Sequence, residues 1–127
     1  MAKQVTATKT SSCSILSVIH IMGKRWTIPV VETLYYARGE MSFNALQSAL
    51  SHVTAKNLND SLRELIEFGL VKKNEIVAKG VRHTSYVLTK NGIAFEDLVN
   101  DAKKLGGELY DRPGCELRQC KNCPLFK

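Results

Sequence analysis

The stretch that most constrains this chain is Ser42 to Phe68, SFNALQSALSHVTAKNLNDSLRELIEF. A short helix signal from Ser42 through Leu50 meets a polar break at Ser51-His52-Val53, and a longer helix then runs from about Thr54 to Phe68. In that longer helix Leu58, Leu62, Leu65 and Ile66 fall at i, i+4, i+7 and i+8, which is one face of a helix. Lys56, Asp60, Arg63 and Glu67 take the opposite face, with Asn57 and Asn59 on its flanks. Ser42 and Thr54 each carry a side-chain oxygen suited to an N-cap. Two short helices around a tight break, the second polar at its exposed start, form the pattern of a helix-turn-helix. Taken alone, the stretch also fits an ordinary helical hairpin in a small core.

The residues that follow separate the two readings. Gly69 suits the C-cap of the long helix. Leu70-Val71 with Ile76-Val77 mark one strand and Ser85 to Leu88 the next, joined by Ala78 to Thr84. The expected hairpin tip is basic, with Lys79, Arg82 and His83. From Gly69 to Lys90, 22 residues hold five Lys or Arg (Lys72, Lys73, Lys79, Arg82, Lys90) against the single acid Glu75. A hairpin that merely covered the core would have no need of a cationic tip. A helix-turn-helix followed directly by a basic hairpin predicts a DNA-binding winged helix.

The remaining segments build the body. Cys13 to Met22, CSILSVIHIM, predicts a mostly buried helix, and Lys24-Arg25 stand beside the only tryptophan, Trp26, expected to be buried. Thr27 to Ala37 reads as a helix with Pro29 in its first turn, where a missing N–H costs little, and Gly39 closes it. Thr89 can cap a final helix from about Lys90 to Leu105, with Phe95, Leu98, Val99, Ala102 and Leu105 as its apolar stripe. The core is already supplied by the earlier helices and the hairpin, so the stripe predicts docking onto a second copy of the chain; the alternative is packing within the protomer. The expected fold class is α+β, mostly helical: a winged helix-turn-helix with a β-hairpin wing and a C-terminal dimerisation helix. The expected division is a flexible arm over 1–12, the domain over 13–106, loosened at Gly106-Gly107, and a cysteine-rich tail over 107–127.

At 127 residues the chain has the length of one domain. The net charge of +6 and pI near 9.3 favour a polyanionic partner, nucleic acid before a membrane surface. No apolar run approaches the roughly 18–20 residues of a membrane span. The start, MAKQVTATKTSS, has no apolar signal segment, so a cytoplasmic protein is expected. No P-loop, Gly-rich nucleotide motif or Ser/His/Asp constellation is visible, and His20, His52 and His83 are scattered, so no enzyme is expected.

Four cysteines are present, Cys13, Cys115, Cys120 and Cys123, and three of them fall in the last 13 residues. Thiolates at the C-x4-C-x2-C spacing can wrap zinc or an iron–sulfur cluster, each of which commonly takes four ligands, and Cys13 is the remaining candidate. The same residues could instead form a thiol–disulfide switch, or an inert tail. A thiol oxidoreductase using Cys120-Lys-Asn-Cys123 is a further alternative, but that motif belongs at a strand–helix junction of a βαβ unit, and here it sits near the end of the sequence. A winged-helix protein-interaction module is the other alternative.

In order and spacing, the chain resembles the HxlR-type family of MarR-like transcription regulators from roughly Cys13 to Leu105. The carriers are Cys13 before the first helix, Ile21-Met22-Gly23-Lys24-Arg25-Trp26 against the family's I-G-G-K-W pattern, and Met41-Ser42-Phe43-Asn44 against its R-F-N-E-like residues. Thr54, Leu58, Leu62-Arg63-Glu64-Leu65 and Gly69-Leu70-Val71 match its T-x-x-x-L-x-x-x-L-R-E-L-x-x-x-G-L-V run, and Tyr86-Val87-Leu88-Thr89-Lys90-Asn91-Gly92 matches Y-x-L-T-x-x-G. The resemblance implies a dimeric winged-helix DNA-binding protein, and some family members respond to thiol-reactive stress through a cysteine ahead of the first helix. This chain has Cys13-Ser14 where the family usually shows Cys-Pro, and a wing reading Arg82-His83-Thr84-Ser85 where the family is often proline-bearing and acidic.

The chemistry of the expected contacts follows from residue type. The start of the long helix should enter the major groove, where Thr54 can donate to a phosphate or base edge, Lys56 can reach guanine acceptors, and Asn57 and Asn59 offer the donor and acceptor that adenine needs. Arg63, further along, suits phosphate. Lys79, Arg82 and His83 suit the backbone or a narrow minor groove, and Lys24 and Arg25 could touch phosphate. A homodimer would set two such helices on the half-sites of an inverted-repeat operator in double-stranded DNA. For each of these side chains the plain alternative is a solvated helix face.

Overall fold

The computed structural model describes residues 13–110 and 119–123, so the arm expected over 1–12 and Cys115 lie outside the described residues. The protein is built around α2 (Thr27–Ala37), whose residues Thr27 and Pro29 to Leu34 are all buried. Such a helix is apolar nearly all round and must be enclosed. It is: α1 (Ser14–Met22), α3 (Phe43–Ala49), α4 (Ala55–Glu67), α5 (Lys90–Leu109) and strand β3 (Val81–Leu88) all pack against it. It spans the expected Thr27–Ala37, and its cap is Arg38, in the left-handed region at φ 58°, one residue ahead of Gly39.

The helix-turn-helix forms as its local chemistry dictates. Ser42 Oγ accepts the Ala45 N–H at 3.1 Å to start α3, and Thr54 Oγ1 accepts the Asn57 N–H at 3.0 Å to start α4. Each such cap is worth about 1 kcal/mol. Leu46, Leu50, Val53, Leu58, Leu62 and Leu65 bury the inner faces of both helices and the turn between them. Ile66, expected inward, sits at the rim, 36% exposed. At the end of α4 the Leu70 N–H reaches Leu65 O (2.9 Å) and the Gly69 N–H reaches Ile66 O (3.0 Å), a Schellman motif with Gly69 at φ 81°.

The wing is longer and its loop shorter than the residue types suggest. Strands β2 (Val71–Ala78) and β3 pair antiparallel in unbroken register from Val71↔Leu88 to Ala78↔Val81. The turn is Lys79-Gly80 alone, with φ 54° and 75°. Both residues at positive φ are what a two-residue turn needs to match the right-handed twist of its strands. A short strand β1 (Met41–Ser42), not signalled by sequence, pairs with β3 at Tyr86 and Ser85 and gives the sheet order β1-β3-β2.

Thr89 starts α5, accepting the Gly92 N–H at 3.0 Å while its own hydroxyl donates to Gly69 O at 2.6 Å. One side chain thereby ties the end of α4 to the start of α5. The helix does not loosen at Gly106-Gly107 but runs on to Leu109, with Gly107 buried. Packing there outweighs the low helix propensity of glycine. The stripe expected to dimerise is divided: Phe95 and Val99 belong to the protomer's own core, whereas Leu98, Ala102 and Leu105 face outward. The expectation of a mostly buried α1 is also corrected. Only Ile21 is buried there, and Ile15, Leu16 and Ile19 are each more than half exposed. Apolar periodicity marks a face that seeks cover, without saying whether the cover comes from the same chain.

Candidate nucleic-acid interface

The outer face of α4 points away from Leu58, Leu62 and Leu65, and it presents Lys56 and Arg63 together. Asn57 and Asn59 are exposed on opposite flanks of that face. The cap role of Thr54 uses its oxygen as acceptor and leaves its hydroxyl proton to donate outward. Between the two cations stands Asp60, whose carboxylate lies 2.9 Å from Lys56 Nζ and 3.5 Å from the Arg63 guanidinium. The hydrogen bond from Lys56 holds the Asp60 carboxyl below its ordinary range. Asp60, expected on this face but not among the expected contacts, has the spacing from Lys56 and Arg63 that helix ion pairs require.

The other expected contacts separate on inspection. Lys24 Nζ is engaged with Glu64 of α4 at 3.0 Å, so it braces α4 against the α1–α2 junction. Arg25 is exposed and lies over the ring of the half-buried Trp26 at 5.3 Å. Lys79 occupies the wing tip. Arg82 pairs with Val77 and His83 with Ile76, so neither lies in a loop, and strand alternation sends the two to opposite faces of the wing. Midway along the wing Asn74 donates to the Glu40 carboxylate, fixing the hairpin to the segment that leads into α3.

The cysteines do not converge as a ligand set among the described residues, where no three His, Cys, Asp or Glu side chains form a metal site. Cys13 is exposed at the start of α1. Cys120 opens a 3-10 turn, Cys120–Asn122, that packs on α2, and Cys123 caps its end. The fourth expected ligand, Cys115, lies outside the described residues.

Behind the interface is a buried polar cluster that no sequence pattern signals. Glu32 of α2 is ion-paired with Lys103 of α5, with both side chains buried. Its second oxygen accepts the backbone N–H of Cys120 at 2.8 Å. Burial would lower the Lys103 ammonium, but the hydrogen bond and charge of Glu32, with smaller contributions from Cys120 and Glu96, more than reverse that and hold it above the ordinary lysine value. Glu96 is fully buried beside this pair, with neither carboxylate oxygen hydrogen-bonded. Burial first, and then the charge of Glu32, push its carboxyl up to about 7.

A helix-turn-helix with a paired hairpin wing and a third short strand defines a winged helix-turn-helix protein. The sequence profile of the HxlR-like helix-turn-helix family matches residues 21–113, and the chain belongs to that family. It is 30% identical over 93 residues to YvaP of Bacillus subtilis, an uncharacterised HTH-type transcriptional regulator, covering 73% of this chain and 83% of that one. Among solved structures it resembles a MarR-family regulator from Enterococcus faecalis (TM-score 0.69, 22% identity, 88% and 94% of the two chains). It also resembles reduced YodB of Bacillus subtilis (TM-score 0.68, 20% identity, 77% and 94%), a protein solved after diamide treatment as well. The relatives are transcriptional regulators, not enzymes. Among the described residues no helix is long and apolar enough to cross a membrane.

Proposed function

We propose that this protein is a dimeric, cytoplasmic transcriptional regulator that binds double-stranded DNA at an inverted repeat, with occupancy set by the redox state of its cysteines. The observation that carries the DNA reading is the exposed pair Lys56 and Arg63 on the outer face of α4, in a chain whose wing carries Lys79 at its tip and Arg82 in the strand that follows. In this reading Thr54, Lys56, Asn57 and Asn59 read base edges, while Arg63, Arg25, Lys79, Arg82 and His83 meet backbone. Lys24 acts through Glu64 and positions α4. The dimer reading is supported by the exposed apolar residues of α1 and by Leu98, Leu105, Leu109 and Tyr110 along α5. The redox reading is supported by YodB, a structural relative known both reduced and after treatment with a thiol oxidant.

The test is binding to duplexes selected from a random pool, measured by fluorescence anisotropy over a range of salt, with oligomeric state from light scattering. Lys56→Ala is expected to cost about 1–3 kcal/mol on the selected sequence and little on random DNA. Arg82→Ala is expected to weaken both and lower the salt slope by about one. Equal losses on both DNAs for Lys56→Ala would remove its base-reading role. Binding that is absent or indifferent to salt would favour a protein-interaction module. Zinc, iron and sulfide analysis of protein purified without oxygen checks the thiol reading, since a bound metal or cluster would replace it.

A further inference from the structure

Glu32 is a carboxylate where a core residue belongs, next to Val31, two residues before Leu34, and fully buried. A buried charge is tolerated when it is paired and its remaining lone pairs are satisfied. One oxygen takes Lys103 of α5, and the other takes the Cys120 N–H of the tail. The next residue of the tail, Lys121, donates from Nζ to Ala49 O at 3.3 Å, at the end of α3. The 3-10 turn is thus fixed on one side to the buried ion pair and on the other to the first helix of the helix-turn-helix. Between them is a cleft of about 130 Å³ bordered by Cys120, Arg25, Trp26, Leu50, Ser51 and His52. His52, in the turn between α3 and α4, holds a left-handed backbone at φ 75°, so the tail abuts the most constrained point of the motif.

Cys120 is half-buried, and its backbone N–H shares the Glu32 carboxylate with the Lys103 ammonium, which places a cation in its neighbourhood. A cation beside a thiol favours the nucleophilic thiolate. Cys123 follows three residues on, with its N–H on Cys120 O at 3.0 Å. A hydrogen-bonded turn of this kind brings its end Cα atoms within about 7 Å, the range a disulfide spans after a small adjustment.

We propose that Cys120 and Cys123 are a dithiol switch that docks the tail on the helix-turn-helix while reduced and releases it when a hydroperoxide oxidises the pair to a disulfide. This rests on the redox reading above and assigns it to specific atoms. The Cys120 thiolate attacks the terminal oxygen of the hydroperoxide; the O–O bond breaks, the alkoxide leaves and takes a proton to become an alcohol, and Cys120 becomes a sulfenic acid. The Cys123 thiolate then attacks that sulfur and expels hydroxide, which is protonated to water as the S–S bond forms. The two thiols lose two electrons and two protons, and the hydroperoxide is reduced to an alcohol and water. The disulfide turns the Cys120 side chain toward Cys123 and draws the ends of the turn together. Closing the bond requires the backbone of 120–123 to adjust, which shifts the Cys120 N–H from Glu32 and the Lys121 stem from Ala49 O.

The test uses the full chain carrying Cys13→Ser and Cys115→Ser, treated with cumene hydroperoxide. Mass spectrometry should show the loss of two hydrogens. Amide hydrogen exchange at Cys120 and across Ala49–Val53 should accelerate by about tenfold or more, and affinity for a selected duplex should fall by about tenfold. Cys123→Ser should stop at a sulfenic acid that dimedone traps. Lys121→Met, kept reduced, should reproduce the faster exchange at Ala49–Val53 with no thiol chemistry. A disulfide form whose exchange in Ala49–Val53 is unchanged would overturn the proposal, as would failure of the disulfide to form. Absence of DNA binding in every state would sink the regulator reading, while the exchange data would still decide the switch.

Discussion

The Lys56 ammonium and the Asp60 carboxylate lie 2.9 Å apart on the exposed face of α4, one helical turn from each other. Exposed pairs of this kind contribute only a few tenths of a kcal/mol to the helix. In the proposed DNA-binding role their weight is in binding, because Asp60 places a negative charge where phosphates would approach and partly occupies both Lys56 and Arg63. Asp60→Asn is expected to raise affinity for random DNA several-fold, steepen its salt dependence, and narrow the gap between selected and random sequences. Anisotropy titrations on both duplexes check this, and unchanged affinity for random DNA would show that Asp60 does not restrain the two cations.

Leu105, 55% exposed near the far end of α5, belongs to the proposed dimer face and is not one of the buried core residues. Leu105→Asp should shift the protein toward monomer in light scattering and cost affinity for a two-half-site duplex, with helix content unchanged. A dimer of undiminished stability would move the interface elsewhere.

Glu96 makes stability depend on pH. Its carboxyl is raised in the folded protein to about 7 from an ordinary 4.5, so between those values the folded state holds a proton that the unfolded state has lost. Stability therefore falls as pH rises from about 4.5 through 7, and the penalty is complete above that, on the order of 1–3 kcal/mol. Glu96→Gln should be more stable than the parent at pH 8 and should lose this part of the pH dependence. Urea denaturation of both proteins from pH 5 to 8 measures the difference; parallel curves would mean that Glu96 is ionised with a partner across the whole range.

Two glycines of α5 predict opposite outcomes. A Cβ on Gly92 would stand 2.2 Å from Leu70 O, the carbonyl that already accepts the Thr89 N–H, and 2.9 Å from Leu88 Cδ2. Gly92→Ala must separate α5 from the end of α4 and should cost about 2–3 kcal/mol. A Cβ on Gly106 meets nothing within 4 Å, so Gly106→Ala should stabilise the helix by about 0.5–1 kcal/mol. Thermal denaturation of the pair is the check, and a stabilised Gly92→Ala would show that the contact yields.

What could be read in advance was local. Ser42, Thr54 and Thr89 cap their helices because a cap needs nothing beyond three residues of chain. Strand β1 was not legible, since two residues become a strand only through Tyr86 and Ser85, far along the chain. The Glu32–Lys103 pair spans 71 positions and the Glu32–Cys120 bond 88, so no periodicity could announce them. The basic character of the wing was visible in composition. Its geometry was not, because the division of Arg82 from His83 depends on a register that the Lys79-Gly80 turn sets.

That register restricts how the wing can change over descent. Tyr86 must stay in the core while Arg82 keeps its side of the hairpin, and both positions are counted from the same two-residue turn. Adding one residue to an arm of the wing would exchange its two surfaces. Lineages can lengthen or shorten this finger gradually only by matched steps that preserve odd and even, so the wings of related chains should differ in length by whole pairs of rungs.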